Sequence, residues 1–294
     1  MCAVIEPRYA SGKGRGRKPF ALNAMQHVHV AQIVYNYSDP DMEDALYEIE
    51  SLRRFCGIRL EAVPDESTIL QYRHLLEQHG LSEQIFEEIN QTPGERGLFL
   101  RAGIDNRASL IAAPTSTKNQ TKARDPEMHS SKKGNQWFFG SKFHIGVDSE
   151  TGLVHTLKVT AGNVSDVAEA ANLLHGEEHF VHGDAGYQSL DRRPEMPTEN
   201  PPACVIAMRL GKLKKLTQDE STAAKILRDA ARELASRRAE VEHVFWAIKI
   251  RFGYAKNRYR GLAKNAARLT FLTAIANVLR GEAHERRCLI ASAI

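Results

Sequence analysis

A stretch late in the chain, between Arg237 and Gly261, carries an acid flanked by basic residues at helical spacing. Arg238, Glu242 and Lys249 are related as i, i+4 and i+11, so at about 100° per residue they fall within roughly 40° of one another around a helix. One helix face would then present a carboxylate between two cations, a pattern that suits contact with phosphate. The alternative is a solvated face, because i,i+4 ion pairs are common there.

A second acid, Asp184, follows a short predicted strand at 179–182 and precedes Ala-Gly-Tyr. A carboxylate at the carboxyl end of a strand faces the crevice where open α/β sheets bind ligands. With Glu242 it could hold two divalent cations, about 3.5–4 Å apart, that activate a water or a 3′-hydroxyl and stabilise the leaving oxygen of a phosphodiester. That chemistry needs a third carboxylate from the first strand. The alternative is an Asp that caps the turn beside Gly186.

The composition predicts a globular protein with a polyanionic partner. The 294 residues are 42% hydrophobic, enough for a sizeable core and about two structural units. The net charge is only +4, but the segment from Arg209 to Lys264 has fifteen Lys and Arg against six Asp and Glu. Such clustering indicates nucleic acid, with a solvated basic face as the alternative. No G-x-x-x-x-G-K-[ST] or G-x-G-x-x-G motif occurs, so nucleotide hydrolysis is not predicted.

The sequence favours a cytoplasmic protein without a membrane partner. The first thirty residues lack the apolar core of a signal peptide, and no stretch approaches about 18 apolar residues. Cys2, Cys56, Cys204 and Cys288 are far apart and have no C-x-x-C spacing. We expect reduced, structural cysteines that form neither disulfides nor a zinc site.

The predicted elements divide the chain into a helical part and a mixed part. Residues 1–20 are rich in Gly, Lys and Arg and predict a flexible basic arm. Residues 21–94 predict a small all-helical unit whose four helices begin at Leu22, Ser38-Asp39-Pro40, Pro64–Ser67 and Ser82. The natural boundary is Gln91–Gly94.

Residues 95–285 predict an α/β unit, a mixed sheet flanked by helices. The expected elements are a strand within 98–112, a basic loop over 113–136, a hairpin of 137–147 and 153–159, a helix over 164–174, short strands at 179–182 and 204–208, and helices from 221 almost to the end.

The longer motifs, taken together, resemble those of a known protein family over nearly the whole chain. They are YNYSDPDMEDALYEIESLRRF, PDESTILQYRHLLE, APTSTKNQ, RDPEMHSSKKGNQWFFGSKFHIGVD, HTLKVTAGNVSDV, GDAGYQ and RAEVEHVFWAIKIRFG. In these motifs the chain resembles bacterial insertion-sequence transposases with a DDE active site, of the insertion-sequence family 5 type.

This resemblance implies a ribonuclease H-like catalytic domain over 95–285, after a helical DNA-binding domain over 21–94. It implies binding of the ends of an insertion sequence, metal-dependent DNA cleavage and strand transfer. The expected cofactor is Mg²⁺, with Mn²⁺ as a substitute. The expected partners are the terminal inverted repeats, target DNA and at least one further copy of the chain, in the nucleoid.

The resemblance also implies roles for individual residues. It places the second and third catalytic, metal-binding acids at Asp184 and Glu242. The family signature Y-x₂-R-x₃-E-x₆-K assigns DNA contacts to Arg238 and Lys249, although its tyrosine position is Ala235 here. The basic arm adds predicted DNA contacts, which are Arg15, Arg17 and Lys18.

The chain departs from the family pattern at the position of the first acid. Counting back from Ala113-Pro114 places that acid at Arg107, and the nearest carboxylate is Asp105, on the same strand face but about 6–7 Å away along the strand. One hypothesis makes Asp105 the third catalytic and metal-binding acid after a bulge or register shift. The other places Arg107 in the pocket, paired with Asp184 or Glu242, in a decayed transposase that only binds DNA. The short interval to Ala113-Pro114 favours the second. A metal nuclease without strand transfer is a third hypothesis.

Several other residues have both an ordinary and a functional interpretation. Asp148, after the second strand, is a reserve candidate for the first acid. Trp137 could stack on a flipped base, but strand packing is the favoured role. Asp166 lies near the predicted crevice, where helix capping by its neighbours is favoured. His144 and His155 are expected to be core or surface histidines.

Overall fold

The computed structural model describes residues 1–9, 18–95, 103–209, 211, 214–215 and 221–292, without the side chains of 92–95, 233–241, 285 and 287–292. No helix among these residues has the length and apolar character needed to span a membrane.

Helices make up the amino-terminal part, as the sequence predicts. They are α1 (Cys2–Ile5), α2 (Leu22–Val34), α3 (Asp39–Glu48), α4 (Glu50–Cys56), α5 (Glu66–Gln78) and α6 (Leu81–Glu95), with 3₁₀ turns at Glu6–Arg8 and Leu60–Ala62. The start of α3 is a capping box, in which Ser38 Oγ accepts from the Asp41 amide at 3.2 Å and the Asp41 carboxylate accepts from the Ser38 amide at 3.1 Å. Asp65 caps α5 by accepting from the Thr68 amide at 2.7 Å.

Three local features differ from the sequence-based expectation. Ile5 of α1 is fully buried in the main core, so residues 1–9 are held by packing, whereas residues 10–17 lie outside the described part. Ser82 is inside α6 and is buried, because the chain turns at Gly80 with a φ of 57° and the helix begins at Leu81. Helix α6 also continues through the expected boundary at Gln91–Gly94.

A mixed six-stranded sheet follows. Its strands are β1 (Gly103–Ala112), β2 (His129–Lys133), β3 (Gln136–Asp148), β4 (Val154–Ala161), β5 (Phe180–Gly183) and β6 (Ala203–Ile206). Strand β1 is antiparallel to β3 on one side and parallel to β5 on the other, and β6 continues the parallel part. Strands β2 and β4 follow one another along the far edge of β3. This sheet with its helices is the ribonuclease H-like α/β core that the resemblance implies.

Strand β2 lies where the sequence predicted a loop. It pairs with β3 through a two-residue turn, Gly134-Asn135, in which Gly134 has a φ of 60°. Such a positive φ is what tight hairpin turns require, and glycine adopts it without steric cost. The polar composition of β2 hides it from a search for apolar periodicity, because its side chains are mostly exposed.

The remaining helices are shorter or more broken than predicted. They are α7 (Asp166–Glu169), α8 (Thr222–Trp246) and α9 (Leu262–Ser292), with 3₁₀ turns at Ala171–Leu173, Ala185–Tyr187 and Leu190–Arg192. A π-helical turn, Ala247–Arg251, follows α8 directly. Irregular chain then leads to α9, and both Gly253 and Gly261 in it have positive φ, which ends the helical run.

One core joins the helical part to the sheet. Ile5 and Leu76 from the first helices belong to the same buried cluster as Phe143 of β3, Ile248 of the π turn and Ile275 of α9. A polar tie supplements the packing, since the amide of Asn277 on α9 donates to Asn90 Oδ1 on α6 at 2.8 Å. The late helices are therefore fixed to both β1–β3 and the first helices, which positions the site described next.

Candidate functional site

A cleft of about 470 Å³ opens where the sheet meets the end of α8. It is lined by Arg107, Ala108, Ser109, Leu110, Ser131, Lys132, Lys133, Lys142, Asp166, Asp184, Glu242, Phe245, Trp246, Lys249 and Ile250. The structure thus brings Asp184 and Glu242, which are 58 positions apart in sequence, to the same cavity. We call the side formed by β1 and the end of β5 the strand wall, and the side formed by α8 and the π turn the helix wall.

Asp184 both caps a turn and faces the cleft, the two roles between which the sequence did not decide. It follows β5 directly, and its Oδ1 accepts from the Gly186 amide at 2.7 Å, so it caps the next 3₁₀ turn. Its other oxygen, Oδ2, lies 3.4 Å from Nη1 of Arg107 within the cleft. The side chain is 37% exposed, so the cap leaves one carboxylate oxygen directed at the cavity.

Arg107 stands between two acids on the strand wall. Its Nη1 contacts Asp184 and its Nη2 lies 3.8 Å from Asp105 Oδ1, while both Arg107 and Asp105 are buried. The β1–β3 pairing runs in one register from Ile104 to Ala112, which keeps residues 105 and 107 in regular succession. Asp105 is not among the described residues that line the cleft. Its predicted role as a metal ligand therefore stays a prediction, and Arg107 is the residue that faces the cavity.

The strand wall does not fit a divalent cation as it is arranged. Within the described residues, no three Asp, Glu, His or Cys side chains are close enough together to hold a metal ion. The guanidinium of Arg107 is within ion-pair distance of both Asp105 and Asp184, so it occupies the electrostatic position that a cation would take.

Glu242 and Lys249 form the polar part of the helix wall. Glu242 is exposed in the last turns of α8. Lys249 is half-buried in the π turn, and its Nζ donates to Ser109 Oγ and to the Leu110 carbonyl, both at 2.7 Å. Burial lowers the pKa of Lys249, and the nearby charge of Lys133 lowers it further. Lys249 therefore ties the helix wall to β1, a contact that the sequence did not indicate.

The regular α-helical spacing predicted from the sequence does not continue as far as Lys249. Helix α8 ends at Trp246, and in the following π turn the hydrogen bonds span five residues, so each residue turns the chain by less than about 100°. Glu242 and Lys249 nevertheless line the same cleft. The side chain of Arg238 lies outside the described part of the structure, and its predicted DNA contact stays a prediction.

Three further lysines give the cleft a positive rim. Lys142 is paired, since its Nζ lies 2.8 Å from Asp166 Oδ1 and donates to the Val164 carbonyl at 2.7 Å. Lys132 and Lys133 make no ion pair with any residue that the structure describes. Sequence reasoning missed all three, although the run Lys132-Lys133-Gly134-Asn135 is the signal of a basic hairpin tip.

The other candidate residues have structural roles or lie apart from the cleft. Asp148 caps the β3–β4 turn by accepting from the amide and hydroxyl of Thr151 at 2.8 and 2.9 Å. His144 is buried with its Nε2 2.8 Å from Thr160 Oγ1, and burial lowers its pKa to about 4. His155 is partly buried in β4.

The basic arm and Trp137 are placed as follows. Arg15 and Arg17 lie outside the described residues, and Lys18 is exposed just before α2. Trp137, for which packing was the favoured role, is 70% exposed on the β2–β3 hairpin.

Comparison with known protein families gives two matches. A family model described as "Transposase DDE domain" matches residues 104–278, which is more than half of the chain. A second model, described as "Transposase domain", matches residues 1–75. No solved structure matches the chain.

Proposed function

Because the chain belongs to the transposase DDE-domain family, we propose that it binds the ends of an insertion sequence and catalyses DNA cleavage and strand transfer. The family generally uses divalent metal ions, and Mg²⁺ is the ion we propose here, with Mn²⁺ as a substitute. In this proposal the partners are terminal inverted repeats, target DNA and a second copy of the chain, all at the nucleoid. The proposed relatives are the insertion-sequence family 5 transposases.

The observation that carries the proposal is the composition of the cleft. Asp184 and Glu242 come from separate elements and line one cavity, together with the rim lysines Lys132 and Lys133. Carboxylates are the ligands that hard divalent cations prefer, and lysines are common contacts to DNA phosphates. Carboxylates surrounded by lysines suit a site that binds and cleaves a phosphodiester.

A second candidate function is DNA binding without cleavage, and Arg107 is the observation that favours it. The Arg107 guanidinium lies between Asp105 and Asp184, and the described carboxylates do not assemble a cation site around it. The basic rim is independent of that defect, so binding would survive the loss of chemistry. The two candidates differ only in whether the cleft cuts the DNA that it holds.

A cleavage assay distinguishes the candidates. The full chain is incubated with supercoiled plasmid carrying both ends of the element, in Mg²⁺ or Mn²⁺, and nicked product and strand-transfer product are measured beside a gel-shift titration. Nicking supports the first candidate. Binding of the ends without nicking in either metal supports the second.

Glu242→Gln is the informative variant for that assay. The amide keeps the shape of the side chain but loses the charge that would hold a cation, so we expect no nicking and unchanged affinity for the ends. The matched control is Asp229→Asn, an acid-to-amide change at an exposed position of the same helix. Nicking by Glu242→Gln at the parent's rate would show that Glu242 is not a catalytic acid.

A further inference from the structure

The chain contains two tryptophans, and the structure exposes both of them. Trp137 is 70% exposed and Trp246 is 51% exposed. Tryptophan is a large apolar residue that is highly buried on average, so two exposed indoles in one chain call for a binding partner. Both lie on elements that border the cleft, although they are far apart in sequence.

Trp246 lies on the helix wall itself. It is the last residue of α8, it lines the cleft, and it is one turn after Glu242. Its neighbour in the cavity, Ile250, is 65% exposed. An apolar, aromatic surface therefore continues from the acid into the open part of the cleft.

Trp137 stands on the hairpin that forms the opposite rim. It pairs across the strands with Lys132, and cross-strand partners have their side chains on the same face of a sheet. Lys132 lines the cleft, and the two-residue turn at Gly134-Asn135 keeps the connection between the two strands short. The indole thus stands beside a lysine that faces the cavity.

The charges around the two indoles identify the chemistry of a partner. Lys133 on the hairpin and Lys249 of the π turn both line the cleft, and the charge of Lys133 helps to lower the pKa of Lys249, so two cations share this cavity. Neither Lys132 nor Lys133 is neutralised by an acid among the described residues. A partner that offers flat apolar faces together with regularly spaced anions satisfies both features, and a nucleic acid strand has that composition.

We propose that this face of the cleft binds unpaired bases at an end of the DNA, with Trp246 and Trp137 stacking on bases while Lys132 and Lys133 contact the flanking phosphates. The inference rests on the proposed function, since it names the part of the DNA that this site takes. Inside a duplex the faces of paired bases are covered by neighbouring base pairs, and a blunt end offers only the outer face of its last pair, whereas each unpaired base offers both faces to the two indoles. The site therefore selects unpaired ends over blunt ones.

The test compares two fluorescent DNA duplexes of the same sequence, one blunt and one with three unpaired thymidines at a 3′ end. Affinities of the full chain are measured by anisotropy. We expect the parent to prefer the unpaired end by roughly tenfold, as the stacking of one or two bases predicts. Trp246→Ala should remove most of that preference, Trp137→Ala should reduce it, and Trp246→Phe should retain part of it.

The matched control is Phe180→Ala, which removes an aromatic side chain that is 48% exposed but does not line the cleft. Its preference for the unpaired end should equal that of the parent. Because the chain has two tryptophans, Trp137→Phe and Trp246→Phe each leave a single indole, whose fluorescence should be quenched more strongly by the unpaired end than by the blunt one.

The outcomes separate this inference from the proposed function. If the parent binds both duplexes equally, or if Trp246→Ala keeps the full preference, the stacking site is overturned while DNA binding stands. If the parent binds neither duplex nor the ends of the element, both proposals are overturned. Loss of preference in Trp246→Ala with unchanged affinity for the blunt duplex supports the stacking site specifically.

Discussion

The two walls of the cleft differ in how they hold Arg107 and Glu242. On the strand wall, Asp105 and Arg107 are buried, and Arg107 is in contact with an acid on either side. On the helix wall, Glu242 and Trp246 are exposed to the cavity. Burial strengthens an ion pair and removes freedom from its partners, whereas exposed groups stay available to a ligand.

This contrast shows which substitutions a site of this kind tolerates. A substitution at an exposed position of the helix wall alters what the cleft can bind. It leaves the pairing of β1 with its neighbouring strands unaffected. A change of charge at a buried strand position alters every neighbour, because no solvent screens it. One arginine at position 107 is therefore enough to convert an acidic wall into an internally neutralised one.

The largest expected effect comes from Arg107→Asp, which would break the contrast between the walls. The change removes the cation and adds a carboxylate beside Asp105 and Asp184. Without metal, like charges should destabilise the fold, and Mg²⁺ should reverse the loss by binding the folded state. We expect millimolar Mg²⁺ to raise the unfolding temperature of the variant more than that of the parent, and we expect metal-dependent nicking to appear or to increase.

Asp105→Asn is the companion variant. If Arg107 holds the place of the cation, Asp105 is not a metal ligand, and any nicking by the parent should continue unchanged in Asp105→Asn. If the parent nicks DNA and Asp105→Asn does not, Asp105 is the third acid and our interpretation of Arg107 is wrong.

An intermediate effect is expected for Lys249→Met, which removes the tie between the two walls. Lys249 donates two hydrogen bonds at 2.7 Å to β1 from a half-buried position. Charged hydrogen bonds contribute about 1.5–3 kcal/mol each, and the desolvation of the half-buried ammonium offsets part of that gain, so we expect the free energy of unfolding to fall by about 2–3 kcal/mol in a denaturant titration.

Lys132→Met provides the matched control for that change. It removes a cleft lysine that makes no ion pair with a described residue, so DNA affinity and its salt dependence should fall while stability is unchanged. If Lys249→Met instead behaves like Lys132→Met, the role of Lys249 is phosphate contact alone, as the family signature suggests.

The smallest effect at neutral pH concerns acid stability and two buried histidines, His144 behind the strand wall and His29 in the helical part. Burial lowers the pKa of His144 to about 4 and that of His29, enclosed by Tyr72 and Phe271 in the helical part, to about 3. The unfolded chain takes up a proton on each histidine near pH 6.5, and the folded chain does not. Their contribution to stability is therefore constant above about pH 6.5 and falls as the pH drops from there towards 4.

Each histidine should account for up to about 1.4 kcal/mol of lost stability per pH unit in that window. In denaturant titrations between pH 6.5 and 4.5, His144→Asn and His29→Asn should each reduce the slope by that amount. An unchanged slope in His144→Asn would show that His144 is solvated and that the strand wall is less closed than its burial indicates.

Much of the fold was predictable because local chemistry determines it. The capping box at Ser38, the cap at Asp65 and the alternating strands of the β3–β4 hairpin all follow from neighbouring residues. The prediction that Asp184 follows a strand and lies in a crevice is likewise confirmed, because a short strand that ends at a glycine-containing turn identifies that position. The polar strand β2 was missed because its pairing, and not its composition, makes it a strand.

By itself, the sequence determined most of the helices and strands, the two acids of the cleft and the departure at position 107, since these depend on residue type and on spacing along the chain. Only the tertiary structure decided where the Arg107 guanidinium lies, because its contacts to Asp105 and Asp184 depend on the register of β1 against β3 and on the neighbouring β5. The same holds for Lys249, whose bonds to β1 join residues 140 positions apart. Contacts of that range depend on how whole elements pack, and no local pattern records them.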